Sequence, residues 1–184
     1  MASLRITSGT LRGRRVAIPP NDVRPTSERA RQAYFNIVAD RIAGAHFLDL
    51  FAGSGVFAIE AVSRGAASAT AVERDRHAAA AIANLTKAWE QPITVVNDDV
   101  LAALPRLKDV FDLVYADPPY GYERYDELLL TIDERLKLRN DALVVVEHRR
   151  RTEPFGAEPR RLKQIRRAEY GDVAMTFFTK AENA

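Results

Sequence analysis

An apolar run from Phe111 to Ala116, interrupted only by Asp112, stops against Asp117-Pro118-Pro119-Tyr120. The run reads as a buried strand, and two prolines in succession end it because neither can donate to a ladder. The tetrad therefore sits at a strand's carboxyl end, where open α/β sheets take their ligands. Fixed φ values and two missing N–H groups make the carbonyls of Asp117 and Pro118 seek partners beyond the local backbone. With the Asp117 carboxylate they form a rigid set of acceptors, and the ring of Tyr120 stands beside them as a flat wall. Such a corner suits a planar heterocycle carrying an exocyclic NH2. The oxygens take the amine's hydrogens and turn its lone pair towards an electrophile, so position and electrostatics do most of the work. The same four residues also suit a Pro-Pro turn with Asp117 as a helix cap.

Other strand ends carry acids in the same way. His46 to Phe51 reads as a strand, and Ala52-Gly53-Ser54-Gly55 as the turn into a helix that ends at Gly65. Gly53 and Gly55 let the backbone approach a ligand at the helix N-terminus. With Ala58 they match G-x-G-x-x-A, a weak sign of a nicotinamide site. Asp49 points elsewhere: an acid before the turn repels a pyrophosphate and attracts an amine. Strand Ala69 to Val72 ends in Glu73, twenty-four positions after Asp49, where an acid can accept both ribose hydroxyls or simply face solvent. Asp75 opens a helix to about Glu90, with Trp89 as core packing. Ile93 to Val96 is a third strand, followed by Asn97-Asp98-Asp99; an acid there can bind an adenine amino group, Asp99 being favoured and Asp98 remaining open.

The ends of the chain differ from its middle. Residues 1–46 hold eight arginines against three acids, residues 47–146 ten bases against sixteen acids, and residues 147–184 nine against six. Basic ends around an acidic centre suit a polyanion gripped by the termini and a small cationic ligand in the middle; a solvated arginine-rich surface gives the same counts. Residues 4–18 form a β-hairpin with four arginines, suited to phosphate contact or to a protected sheet edge. Thr26 or Ser27 caps a helix that buries Ala30, Tyr34, Ile37, Val38 and Ile42 and stops at Gly44. Gly121 to Tyr125 is a loop whose Tyr122 and Tyr125 cover a bound base or lie on the surface. A helix with Leu128, Leu129, Ile132 and Leu136 precedes strand Ala142 to Val146, which ends in Glu147-His148. Arg149-Arg150-Arg151 opens a basic loop, and Gln164 to Tyr170 pairs with Val173 to Lys180 across Gly171-Asp172.

At 184 residues the chain is one well-cored domain with an N-terminal extension. Without cysteine it has no disulfide, no thiolate nucleophile and no Cys-ligated zinc, which excludes base methylation through a covalent cysteine adduct. Its three histidines lack the spaced partners of a metal site or triad. No apolar run reaches the roughly 18 residues of a membrane span, and no signal region follows Met1, so a soluble cytoplasmic protein is expected.

Asp49-Leu50-Phe51-Ala52-Gly53-Ser54-Gly55, Glu73, Asp99 and Asp117-Pro118-Pro119-Tyr120 together resemble the ordered motifs of class I S-adenosylmethionine-dependent amino-methyltransferases. Arg5-Ile6-Thr7-Ser8-Gly9, Gly13-Arg14-Arg15, and Arg24-Pro25-Thr26 through Phe35-Asn36 extend the likeness to the bacterial RsmD family, from Leu4 to about Lys180. The resemblance implies methylation of the exocyclic N2 amine of one guanine in 16S ribosomal RNA, with S-adenosylmethionine as cofactor and no metal. It implies an α/β, Rossmann-like fold: a seven-stranded, mostly parallel sheet with a terminal antiparallel hairpin. Residues 1–25 would be an RNA-contacting β-hairpin arm and residues 26–184 the methyltransferase domain. The cofactor would be held by Thr26, Asp49, Gly53, Gly55, Glu73 and Asp99, and the base by Asp117, Pro118, Pro119 and Tyr120. The enzyme would act as a monomer on 16S ribosomal RNA, free or within the small ribosomal subunit, with no membrane partner. Competing readings are a DNA adenine-N6 methyltransferase, which usually needs a recognition domain that this chain has no insertion to supply, and a noncatalytic RNA-binding module, which would leave the strand-end acids without purpose.

Overall fold

The computed structural model describes residues 2–18 and 28–181. A two-stranded hairpin, β1 (Ser3–Arg5) and β2 (Arg15–Ala17), comes first. The helix expected to reach Gly44 is instead two pieces, α1 (Glu28–Ile37) and α2 (Ala39–Ile42), parted at Val38. Its expected cap at Thr26 or Ser27 lies outside the described residues. Then strands and helices alternate: β3 (His46–Leu50), α3 (Val56–Ser63), β4 (Ser68–Glu73), α4 (Arg76–Ala88), β5 (Ile93–Asn97), α5 (Val100–Ala103), β6 (Val110–Ala116), α6 (Tyr125–Arg135) and β7 (Lys137–Arg149). β8 (Leu162–Tyr170) and β9 (Val173–Lys180) close the chain.

Seven strands form one sheet in the order β5-β4-β3-β6-β7-β9-β8. The first five in that order are parallel, and β9 is antiparallel to both β7 and β8. The topology reverses direction between β3 and β6, which opens a crevice at their carboxyl ends. Both faces of the sheet are covered, so its central strands are apolar throughout rather than alternating. One core joins α1, α3 and α4 to the sheet, with Tyr34, Phe35, Phe47 and Phe57 at its centre; the other joins α5 and α6 to the opposite face. All eight residues of α3 are buried, as its nearly continuous apolar sequence requires. Trp89 packs against the first core, with the Arg14 guanidinium 4.9 Å from its ring centroid.

β7 is longer than the apolar run Ala142 to Val146 suggests. Its polar start, Lys137 to Asp141, pairs with β6 at Val110 and Phe111, and the register shifts before Leu113 meets Leu143. The shift of register falls before the apolar stretch of β7 enters the sheet.

The hairpin is joined to the main core by Ile6, Leu11 and Val16, all buried. Polar contacts fix it to α3: the Thr10 N–H donates to the Ser63 carbonyl at 2.8 Å, and the Leu11 N–H to Ser63 Oγ at 2.9 Å. Gly9 passes so close that any Cβ would overlap that carbonyl. Glu60, fully buried, accepts from the N–H and hydroxyl of Thr7, lies 3.2 Å from Arg31 Nε and 2.8 Å from Arg64 Nη2. Arg31, equally buried, also donates to the Arg5 carbonyl at 2.7 Å. A single carboxylate thus ties α1, α3 and the hairpin together. Glu60→Ala would leave a guanidinium buried and unpaired, and should cost about 3–5 kcal/mol. Urea unfolding is the check: the midpoint falls while the slope stays constant.

Candidate active site

Because β5, β4, β3, β6 and β7 run parallel, their carboxyl ends lie along one edge, and every one delivers an acid there. In that order they are Asp98-Asp99, Glu73, Asp49, Asp117 and Glu147. Between β3 and α3 the chain turns through three left-handed residues, Phe51 (φ 65°), Gly53 (φ 55°) and Gly55 (φ 74°). Phe51 is not a glycine, and such a conformation costs it about 1–2 kcal/mol. Gly55 has a further reason to lack a side chain, since a Cβ would lie 2.9 Å from Ile82. The turn also borders a recess of about 210 Å³ between β2 and α4. A larger, open recess of about 600 Å³ over Ser63–Gly65 lies at the far end of α3, away from these acids.

Asp49 is 2% exposed, and its Oδ2 accepts from the Ala58 N–H in the first turn of α3 at 3.1 Å. Burial pushes its carboxyl up to about 8; the Ala58 N–H opposes this, while Asp117 and Glu73 add to it. Glu73 Oε2 takes the Gly53 N–H and Oε1 the Asp75 N–H, both at 2.7 Å. Each oxygen keeps a second lone pair for a ligand hydroxyl. Asp99 caps α5 by accepting from the Leu101 N–H at 3.0 Å, and is exposed. Asp98 is occupied otherwise: it forms an ion pair with Arg106 and accepts from the Asp99 N–H.

The tetrad is bound to the neighbouring strand through the Asp117 N–H, which donates to the Leu50 carbonyl at 3.3 Å. The Tyr122 N–H donates to the Pro119 carbonyl at 3.0 Å and closes the turn. Tyr120 stands 69% exposed, with the Arg149 guanidinium over its ring. Tyr122 and Tyr125 are half-buried rather than surface residues. Their rings meet edge to face at 5.2 Å; Tyr122 also meets Phe51 at 5.4 Å, and Tyr125 meets Phe155 at 5.8 Å. This aromatic row links the glycine turn to the tetrad. Burial pushes both phenols up to about 12, and the nearby acids Asp99 and Asp117 contribute.

Sequence reasoning assigned no role to Glu147. It is 4% exposed and accepts from the Tyr115 hydroxyl at 2.6 Å; Tyr115 in turn stacks on Phe57 at 3.9 Å. Burial and the neighbouring Asp117 push its carboxyl up, against the Tyr115 hydrogen bond. The signal for it was present, since Glu147 ends the run Ala142 to Val146 as Asp117 ends the run before it. Thr26 lies outside the described residues. The structure therefore gathers Asp49, Gly53, Gly55, Glu73, Asp99 and Asp117 to Tyr120 on one edge. Asp49, whose carboxyl burial pushes up, gains from a cation beside it, and the aromatic row offers flat apolar faces. Among the described residues no cluster of acids and histidines fits a metal ion, and no helix is long and apolar enough to cross a membrane.

The family model described as Conserved hypothetical protein 95 matches residues 4–179. The Ribosomal RNA small subunit methyltransferase D of Escherichia coli K12 is 36% identical over 146 residues, 78% of this chain and 74% of that protein. The protein of the same name from Haemophilus influenzae is 33% identical, with 78% of each chain covered. The solved structure of yhhF from Escherichia coli superposes with a TM-score of 0.87 at 29% identity, covering 99% of this chain and all of that one. The likeness spans the hairpin, the sheet and its terminal antiparallel pair.

The raised carboxyls make stability depend on pH. Asp49 loses its proton near pH 4 when unfolded and near pH 8 when folded, so the folded chain holds more protons between those values. Stability is then greatest at the acidic end of this window and falls as pH rises, by at most about 1.4 kcal/mol per pH unit for each such group. Glu147 adds to the slope in the same direction. Urea midpoints of the ligand-free protein between about pH 5 and about pH 8 should decline. Asp49→Asn should flatten the decline, and a rise in midpoint over that range would contradict the assignment.

Proposed function

We propose that this chain, which belongs to the Conserved hypothetical protein 95 family, the RsmD family, methylates the exocyclic N2 amine of one guanine in 16S ribosomal RNA of the small ribosomal subunit. The observation that carries the reading is the placement of Asp117 to Tyr120 beside the turn at Gly53 and Gly55, across the point where the sheet reverses direction. The relatives named for small-subunit ribosomal RNA support the substrate class.

The cofactor is S-adenosylmethionine, which when bound supplies an electrophilic methyl on a sulfonium. Asp49 attracts the ammonium of its methionine part, and Gly53 and Gly55 let the backbone come close. Glu73 accepts from the ribose hydroxyls through lone pairs that Gly53 and Asp75 leave open. Asp99, rather than Asp98, receives the adenine amine, because Arg106 occupies Asp98. Thr26, outside the described residues, is a further candidate for binding the methionine part.

Asp117 and the Pro118 carbonyl accept the two hydrogens of the guanine amine and aim its lone pair, while Pro118 and Pro119 keep those oxygens rigid. With the cofactor bound, its methyl would pass to that nitrogen and leave the sulfur as a neutral thioether, while the released amine proton would go to solvent water. A paired guanine hides its amino edge, so the base must be extruded, and Tyr120 replaces the lost stacking. Residues 1–25 act as the RNA-contacting arm, with Arg5, Arg12, Arg14 and Arg15 exposed on the hairpin; residues 26–184 form the methyltransferase domain. The enzyme works in the cytoplasm as a monomer.

Asp117→Ala should lower methyl transfer by about 100-fold or more, the scale of losing a hydrogen-bonding group from a reacting centre. Its thermal melt and cofactor affinity should stay close to those of the unaltered chain; unchanged turnover would reject the role. Mass mapping of 16S ribosomal RNA from cells with and without the protein tests the substrate: one N2-methylguanine should vanish, and an identical pattern in both would overturn the reading.

A further inference from the structure

Guanine presents three donors in a row, the two hydrogens of its amine and the neighbouring N1–H, and Asp117 with the Pro118 carbonyl takes only the first two. The next strand end holds a carboxyl that the transfer step leaves unused. Ala116 of β6 pairs with Val146 of β7, so Asp117 and Glu147 are the residues that follow on neighbouring strands. Glu147 is buried, and its Oε2 accepts from the Tyr115 hydroxyl at 2.6 Å. Its other oxygen, Oε1, accepts from no described residue and is not among the unpartnered atoms sealed inside the protein. Asp117 lies near enough to hinder the ionisation of Glu147, and Glu147 in turn helps to keep the Tyr125 phenol neutral. The acid thus stands between the tetrad and the aromatic row. A carboxyl so placed, with one oxygen unused and a second acid beside it, is unfavourable for stability alone.

We propose that Glu147 is the specificity-determining residue of the base pocket: its Oε1 accepts the guanine N1–H while Asp117 and the Pro118 carbonyl hold the amine. This deepens the proposed function and rests on its placing of the guanine amine at Asp117. Three acceptors then face three donors along the Watson–Crick edge of an extruded base. Adenine and cytosine carry a lone pair, not a hydrogen, on the ring nitrogen beside their amine. An ionised carboxyl repels that lone pair and is itself left buried without a donor, so both bases are rejected. An amide in the same place would discriminate less, because it offers a donor as well as an acceptor. With Oε2 held by Tyr115, Oε1 is the oxygen left for the ligand. Burial and Asp117 push the Glu147 carboxyl up, and a donor arriving at Oε1 favours the ionised form again.

The test compares guanine with 2-aminopurine, which keeps the amine at C2 but carries a lone pair at N1. Each base is placed by synthesis and ligation at the mapped position of 16S ribosomal RNA, and the RNA is offered both free and reconstituted into small subunits. Single-turnover transfer of a labelled methyl from S-adenosylmethionine is measured for the unaltered protein and for Glu147→Gln. The unaltered protein should prefer guanine by about 100-fold or more. Glu147→Gln, nearly the same in shape, should lower that preference at least about tenfold, chiefly by speeding transfer to 2-aminopurine. The ratio is the readout because 2-aminopurine also lacks the guanine O6, a loss common to both proteins. A carboxyl that only held Tyr115 in place would slow both substrates alike when altered, and an unchanged ratio would overturn the proposal. Equal transfer to the two bases by the unaltered protein would overturn it too, whether or not the variant folds. Absence of transfer to guanine by the unaltered protein would overturn the proposed function and this proposal with it. Transfer to guanine with the ratio unmoved by Glu147→Gln would remove the role of Glu147 alone.

Discussion

Carboxylates at the ends of neighbouring parallel strands repel one another, and the rest of the site is arranged around that repulsion. Asp117 follows directly on Ala116, the partner of Val146, so Asp117 and Glu147 stand at the same level of β6 and β7. Asp49 lies two steps back on β3, opposite Tyr115. Like charges at the ends of adjacent strands make each other's ionisation harder. Adding the loss of hydration at Asp49 and Glu147 makes full ionisation unfavourable, and both carboxyls are pushed up. An arriving cation removes the conflict.

The backbone around these acids gives up local ease for the same end. Phe51 takes a left-handed conformation that its side chain disfavours, yet its ring meets Tyr122 and starts the aromatic row across to Tyr125 and Phe155. The surrounding structure over-determines that strain, with the Ala52 N–H on the Val72 carbonyl and the Gly55 N–H on the Ala52 carbonyl.

Much of this was legible in the sequence because period and punctuation carry it. Apolar runs ending in an acid located four strand ends, Gly53 and Gly55 located the turn, and Pro118-Pro119 closed β6. What was missed depends on partners distant in sequence. The stretch Lys137 to Asp141 has no apolar run to mark it, and pairing of Lys137 and Leu138 with Val110 and Phe111 makes its start strand. Glu147 looks like an exposed strand-end acid until Tyr115 and the packing around it are known. The break at Val38 has no proline or glycine to announce it, and the overlap of Arg149 with Tyr120 joins a strand end to a turn that no local pattern relates.

Helix α3 has a consequence of its own. Its first turn holds Asp49 through Ala58, while Glu60 and Ser63 near its other end grip the hairpin at Thr7, Thr10 and Leu11. Eight residues of helix rise about 12 Å, so one short strut runs from the acid edge to the loop of the hairpin, whose second strand returns beside the turn at Gly53. The ribbon cannot swing like a tethered tail. Its guanidinium-bearing strands meet whatever they touch already in formation, and association there forgoes the freezing of a floppy segment that coupled folding would demand.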